Sequence, residues 1–289
     1  MGRPLDEAGR RSGPVGRRAL TRAAAAALLR GFVFAFFAIA AARPAAAQQP
    51  FLTDDTEVTP AHEFHFEYAN SYVALSRNAN PDLRQDTNNF VIQFGLLNNL
   101  EANVDFPLIY IARDRGSQVG SAFGLGDVDF GLKWKLVSET PGEPHPGFTV
   151  SGFAELPTGN VSKQLGSGFT DYSVNTILQK SVTETFVLHV NAGLQFSGNT
   201  LTGAVGIRTP GRIYSAGISA AKEVSPTLKL GIDLNGAEIH TSSSLDRQLQ
   251  LTVGGNLEIA KGHSFDFAVL AGWSSAPRIG LLLGISLTP

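Results

Sequence analysis

Residues 124–136, GLGDVDFGLKWKL, decide how the chain folds. Val128, Phe130, Leu132, Trp134 and Leu136 occupy every second position, with Asp127, Asp129, Lys133 and Lys135 between them. Successive side chains of a β-strand point to opposite faces, so this segment reads as a strand with one large apolar face and one face carrying both signs of charge. Two structures offer such surroundings. A soluble barrel packs the apolar face inside; a membrane barrel turns it to lipid and leaves the charges in a hydrated lumen. Alternation alone leaves both open.

The same period of two recurs along the chain, and helix-period apolar patterns are missing. Twelve segments carry it, at 62–75, 87–97, 100–112, 125–138, 147–157, 170–181, 184–196, 212–223, 226–238, 247–260, 263–273 and 278–288. Most run 11 to 14 residues. Strands of soluble proteins average about 5–6 residues, whereas a tilted crossing of a bilayer takes about 9–11. Alternate connections are tight (98–99, 182–183, 224–225 and 261–262, with 139–146 the exception), and those between them are mostly long and polar (76–86, 113–124, 158–169, 197–211 and 239–246, with 274–277 short). Short turns at one end and long loops at the other mark an outer-membrane barrel. The expected fold is therefore all-β, a transmembrane antiparallel up-and-down β-barrel of about twelve strands. Ten or fourteen follow if the 139–146 or 197–211 segments are counted differently.

The first 47 residues have another character. Seven arginines lead into the apolar run GFVFAFFAIAAA and then Ala45-Ala46-Ala47, which is the pattern of a cleaved secretory signal. The apolar run is too short to span a bilayer as a helix. Residues 48–289 then form one barrel domain. Cleavage removes eight Arg, Asp6 and Glu7, leaving 15 basic and 23 acidic residues, a net charge near −8. That charge argues against nucleic acid as a partner. The chain has no cysteine, so it has no disulfide framework and no thiolate chemistry.

The charged face supplies the candidate site. Glu101, Asp105, Asp127, Asp129, Lys133, Lys135, Glu155, His189, Lys229, Asp233, Glu258 and Asp266 are expected to line the lumen. Lys133 and Lys135 beside Asp127 and Asp129 either impose a transverse field on passing solutes or close the lumen with internal salt bridges. A passive channel for small solutes in the bacterial outer membrane follows, with lipid and solutes as partners and with no cofactor, metal or enzymatic role. A plugged structural or ligand-binding barrel is the alternative. A hydrophobic solute would need an apolar route, and the sequence displays none. An outer-membrane hydrolase is a third class, since His240-Thr241-Ser242 has a suitable His–Ser spacing. It lies in a polar loop and lacks a following Asn-Gly-Arg. His62 and His65 fall on opposite faces of a strand and make no chelate.

The set Gly124-x-Gly126-Asp127-x-x-x-Gly131-x-Lys133, Glu155-Leu156-Pro157-Thr158-Gly159-Asn160 and Gly166-Ser167-Gly168-Phe169-Thr170-Asp171-Tyr172 resembles the bacterial phenol-degradation meta-pathway family, often labelled transporter. The resemblance implies an outer-membrane barrel admitting aromatic or other hydrophobic compounds, and it brings no catalytic residues.

Overall fold

The computed structural model describes residues 50–75, 83–112, 120–140, 142–197, 211–240 and 245–288. The expected signal sequence lies outside them. The strands are β1 (Phe64–Ala74), β2 (Arg84–Leu97), β3 (Leu100–Ala112), β4 (Ala122–Leu125), β5 (Val128–Val137), β6 (Gly147–Leu156), β7 (Asp171–Thr183), β8 (Phe186–Ser197), β9 (Gly211–Ser225), β10 (Leu228–His240), β11 (Leu245–Ala260), β12 (His263–Ser274) and β13 (Ile279–Leu287). Neighbours in sequence pair antiparallel, β4 and β5 excepted, and β13 pairs with β1 from Phe66↔Leu287 to Ala74↔Ile279, which closes the ring. Both β4 and β5 pair with β3, so they share one place in a twelve-stranded wall. Closure leaves every described strand except the short β4 paired on both sides, as lipid requires.

The faces settle which barrel this is. Phe130, Leu132, Trp134 and Leu136 are between 45 % and 53 % exposed, and large apolar side chains of every neighbouring strand join them outside. Thr149, Ser151, Asp171, Ser219 and Asp233, all polar, are at most 1 % exposed inside. A water-soluble core has the opposite distribution. The outer face is an apolar belt built for lipid, and the chain is a transmembrane barrel of the outer-membrane type. Among the described residues no helix is long and apolar enough to cross a membrane.

The strand expected over 125–138 is broken at Gly126-Asp127, and β4 begins within the expected loop. The backbone explains the break. Gly126 donates to Pro107 O at 2.8 Å, leaving Asp127 free to turn its carboxylate toward a loop on the same side of the wall. Tight turns at 98–99, 184–185, 226–227 and 261–262 define one end. The longer turn between β5 and β6 sits at that end too and is clipped in place. Glu139 accepts from Lys180 Nζ at 2.8 Å, from Ser181 N at 2.8 Å and from Ser181 Oγ at 3.0 Å.

Two outcomes follow. Leu132→Arg, on the lipid face, should lower the stability of the barrel refolded in vesicles by about 2–4 kcal/mol if it lies near the bilayer midplane, read by urea unfolding. For Glu139, burial opposes the charged form, but the hydrogen bonds from Lys180 and Ser181 outweigh it and hold its carboxyl below the ordinary 4.5. A lowered folded pKa means that the clip contributes fully above the ordinary value and is lost as pH falls through the lowered one. Protection of the Ser181 amide from hydrogen exchange, corrected for intrinsic rate, should therefore fall on acidification, and Glu139→Gln should remove that dependence.

Candidate functional site

The lumen is occupied by the chain's own residues 50–62, which precede β1 and touch strand after strand. Leu52 N and Thr53 Oγ1 donate to Asp233 on β10 at 3.1 and 2.5 Å. Lys133 Nζ on β5 reaches Asp54 at 2.9 Å and Asp55 at 3.4 Å. Thr56 N donates to Gln179 of β7 at 3.2 Å, and Thr56 O accepts from Thr149 of β6 at 2.9 Å. Lys135 Nζ meets Glu57 at 2.6 Å. The N–H and the hydroxyl of Thr59 both donate to Glu101 of β3 at 2.7 Å. His62 N then donates to Gly95 O of β2 at 2.7 Å. Pro60 passes so close to Gly95 that a Cβ there would collide with the proline carbonyl.

Local chemistry keeps this segment irregular. Asp55 Oδ1 accepts from Glu57 N at 2.9 Å, a side-chain-closed turn that competes with strand pairing. Lys133 is 6 % exposed, so its charge is tolerated only because two carboxylates face it.

Toward the long-loop end lies a cavity of about 460 Å³. Val73, Ile109, Leu165 and Leu270 line it and belong to one buried apolar cluster with Leu75, Ile111 and Ala122. Phe51 of the inner segment also lines it. Part of its wall is acidic: Asp105, Asp129 and Glu155 line it and stand directly opposite one another on β3, β5 and β6, and Asp171 of β7, opposite Glu155, continues the row. The loop after β6 folds inward to complete the cavity. Asp127 accepts from Gly159 N at 2.8 Å and Ser167 N at 2.6 Å, and Thr158 Oγ1 donates to Gly126 O at 2.8 Å. Gly166 sits where any Cβ would strike the Asp127 carboxylate. This clamp seats Leu165, 1 % exposed, in the apolar cluster.

The twelve candidate residues thus separate into groups. Glu101, Lys133, Lys135 and Asp233 hold the inner segment. Asp127 holds the loop, while Asp105, Asp129 and Glu155 border the larger cavity. Asp105 also accepts from Asn89 at 2.9 Å. Asp266 accepts from Asn256 at 2.7 Å and Ser286 at 3.0 Å, and His189 Nδ1 lies 3.1 Å from Ser219 Oγ. Lys229 and Glu258 line a smaller cavity of about 170 Å³ at the tight-turn end. Lys133 and Lys135 form internal ion pairs, but with Asp54, Asp55 and Glu57 of the inner segment rather than with Asp127 and Asp129. Neither the inner segment nor the apolar cavity was anticipated, although three acids just ahead of β1 offer charge opposite to the two lysines.

Among the described residues no group of three or more His, Asp and Glu is placed to hold a metal ion. His240 is exposed, 3.5 Å from Glu238 and edge-on to the ring of Tyr214; Ser242 lies outside the described residues.

Residues 86–282 match the model of the family described as "Putative MetA-pathway of phenol degradation". No curated protein matches the chain in sequence. Among solved structures, the COG4313 outer membrane channel from Pseudomonas putida F1 is similar with a TM-score of 0.65 and 15 % identity, over 81 % of this chain and 98 % of that one. The β domain of the Bordetella autotransporter BrkA follows with a TM-score of 0.50 and 10 % identity, over 79 % of this chain and 100 % of that one. These likenesses establish the fold.

Lys133→Gln should loosen the inner segment, at a cost of about 3–5 kcal/mol for breaking a buried ion pair. The amides of Leu52, Thr56 and Thr59 should lose exchange protection while those of the wall keep theirs. Asp127→Ala, which removes two hydrogen bonds to a carboxylate worth about 1.5–3 kcal/mol each, should expose residues 157–170 to protease added outside intact cells.

Proposed function

From its place in the phenol-degradation MetA-pathway family, to which this chain belongs, and from the geometry of its lumen, we propose that it is a passive outer-membrane channel for small solutes, favouring those with an apolar body. The observation that carries this reading is the apolar cavity of about 460 Å³ enclosed by a continuous strand wall. Its volume lies within the roughly 300–1,000 Å³ of small-molecule sites. An aromatic or aliphatic solute leaving water would gain by contact with Val73, Ile109, Leu165, Leu270 and Phe51. The carboxylates of Asp105, Asp129 and Glu155 in the same lining oppose anions and accept hydrogen bonds from hydroxyl or amino groups.

Below this cavity stands the inner segment, and solutes that cross must pass it. Its ties are ion pairs and hydrogen bonds to the wall rather than a continuous backbone ladder. Movement of 50–62 therefore breaks side-chain contacts without opening the barrel. No step of this mechanism is chemical.

Single-channel recording of the refolded barrel in a planar bilayer, with Lys133→Glu and Lys135→Glu combined alongside, tests this. Native protein should show small, cation-preferring openings. The double variant sets like charges against Asp54, Asp55 and Glu57 and should raise both conductance and cation preference. Silence from both, in barrels shown by heat-modifiable migration to be folded, would reject the channel in favour of a plugged, ligand-binding barrel.

A further inference from the structure

The inward face of β3 changes character within a few residues. It carries Asn103 and Asp105 and then, toward the long-loop end, Pro107, Ile109 and Ile111. Asp105 marks the change, and it heads the row that Asp129, Glu155 and Asp171 continue across β5, β6 and β7. Like charges directly opposite one another destabilise a sheet, so the row favours a positive group beside it. Among the described residues no lysine or arginine lines the cavity of about 460 Å³ that the row borders. Lys133, which lines an adjoining cavity of about 260 Å³, is already paired with Asp54 and Asp55.

A second observation comes from neutral side chains. Asn103 is 7 % exposed, and its Oδ1 has no hydrogen-bond partner among the described residues. That oxygen lies over Gly131 of β5, where a Cβ would collide with it. Asn103 is one inward position from Asp105, as Gly131 is from Asp129, so the oxygen stands beside the first pair of the row. Asp105 lines both cavities, and its Oδ1 is likewise buried without a partner, while Oδ2 accepts from Asn89. Gln85, 6 % exposed, brings a third such oxygen to the larger cavity, nearer the loops: its Nε2 donates to Thr87 at 3.0 Å and its Oε1 is unpaired. All three are acceptors, and only a donor relieves them.

A want of donors and of positive charge beside an apolar surface describes the ligand. A carboxylate brings acceptors alone, and a hydroxyl brings one donor together with acceptors. A primary ammonium brings three donors, a charge and no acceptor. A metal ion fits less well, since among the described residues no group of three or more His, Asp and Glu is placed to hold one. It would also make no use of the apolar wall.

We propose, resting on the channel reading above for the route into the lumen, that the cavity is a binding site for primary organic ammonium ions. The ammonium sits at Asp105, Asp129 and Asn103, and the apolar body lies along Pro107 and Ile109 against Leu165. From Asp105 to Ile109 is four residues of strand, roughly 13 Å, which accommodates one aromatic ring on a short linker. Gln85, closer to the loops, is the first unpaired acceptor that an entering ammonium meets.

Isothermal titration of the refolded barrel in neutral detergent with phenethylamine, phenethyl alcohol and phenylacetate, at neutral pH, compares three head groups on similar apolar bodies. The amine should bind saturably and about tenfold or more tighter than the alcohol, and phenylacetate should not bind saturably. Phenethyltrimethylammonium, which keeps the charge and has no N–H, should bind more weakly than the amine. Asp129→Asn combined with Glu155→Gln retains the shape of the wall and should weaken the amine about tenfold while leaving the alcohol within about twofold. An alcohol or a trimethylated cation bound as tightly as the amine, no saturable binding of the amine, or an amine affinity unchanged in the double variant would overturn the proposal. The ligand series on the native barrel decides the matter even if the double variant does not fold. Conduction separates the two readings: a barrel that conducts without preferring the amine loses this site and keeps the channel, and one that binds the amine without conducting loses the channel and keeps the site.

Discussion

Every feature of this molecule descends from one constraint: a backbone N–H or C=O group facing hydrocarbon has nothing to bond to but another strand. The chain meets it by pairing β13 with β1, which closes the wall into a ring. Closure then forces the rest. Strands must be long enough to cross, their outward side chains must be apolar, and the inward ones face a volume too narrow for bulk water to solvate every charge. Buried polar groups at or below 1 % exposure, such as Asp171 and Asp233, are a consequence of that geometry.

An interior of this kind needs partners for its charges, and the chain supplies them from itself. Residues 50–62 bring backbone N–H groups to Asp233 and Glu101, and carboxylates to Lys133 and Lys135. Removing one side of such a pair costs more than the pair contributes, since the remaining charge is stranded. The segment and the wall are therefore interdependent, and the wall's charges have a structural role as well as any effect on a solute.

How much of this was legible in the sequence depends on range. The strands were legible because their signal is local: in residues 128–136 and 249–259 alternation repeats at every position, and the outcome for each side chain is binary. Tight turns such as 98–99 interrupt it cleanly. The inner segment was not, because it has no period and its partners lie far along the chain, 79 residues away for Asp54 and Lys133 and 180 for Thr53 and Asp233. The apolar cavity was hidden for another reason. Near the long-loop end of β3 both faces are apolar, with Leu108 and Tyr110 toward lipid and Ile109 and Ile111 inward, so alternation loses contrast where the lumen changes character.

The motifs that suggested the family prove to be parts of one clamp. Asp127 from the first, Gly159 from the second and Ser167 from the third meet through two hydrogen bonds, and Gly166 is there because the carboxylate leaves no space for a side chain. Three motifs spread over residues 124–172 therefore meet at a single inward-folded loop. The clamp also divides the lumen by chemistry. On its side, Leu165 completes an apolar cavity; on the other, Lys133 and Lys135 bind the acids of the inner segment. In the channel proposed above, a solute entering from the loops would meet apolar surface before it met paired charge, an order that would select first by loss of water and only then by sign.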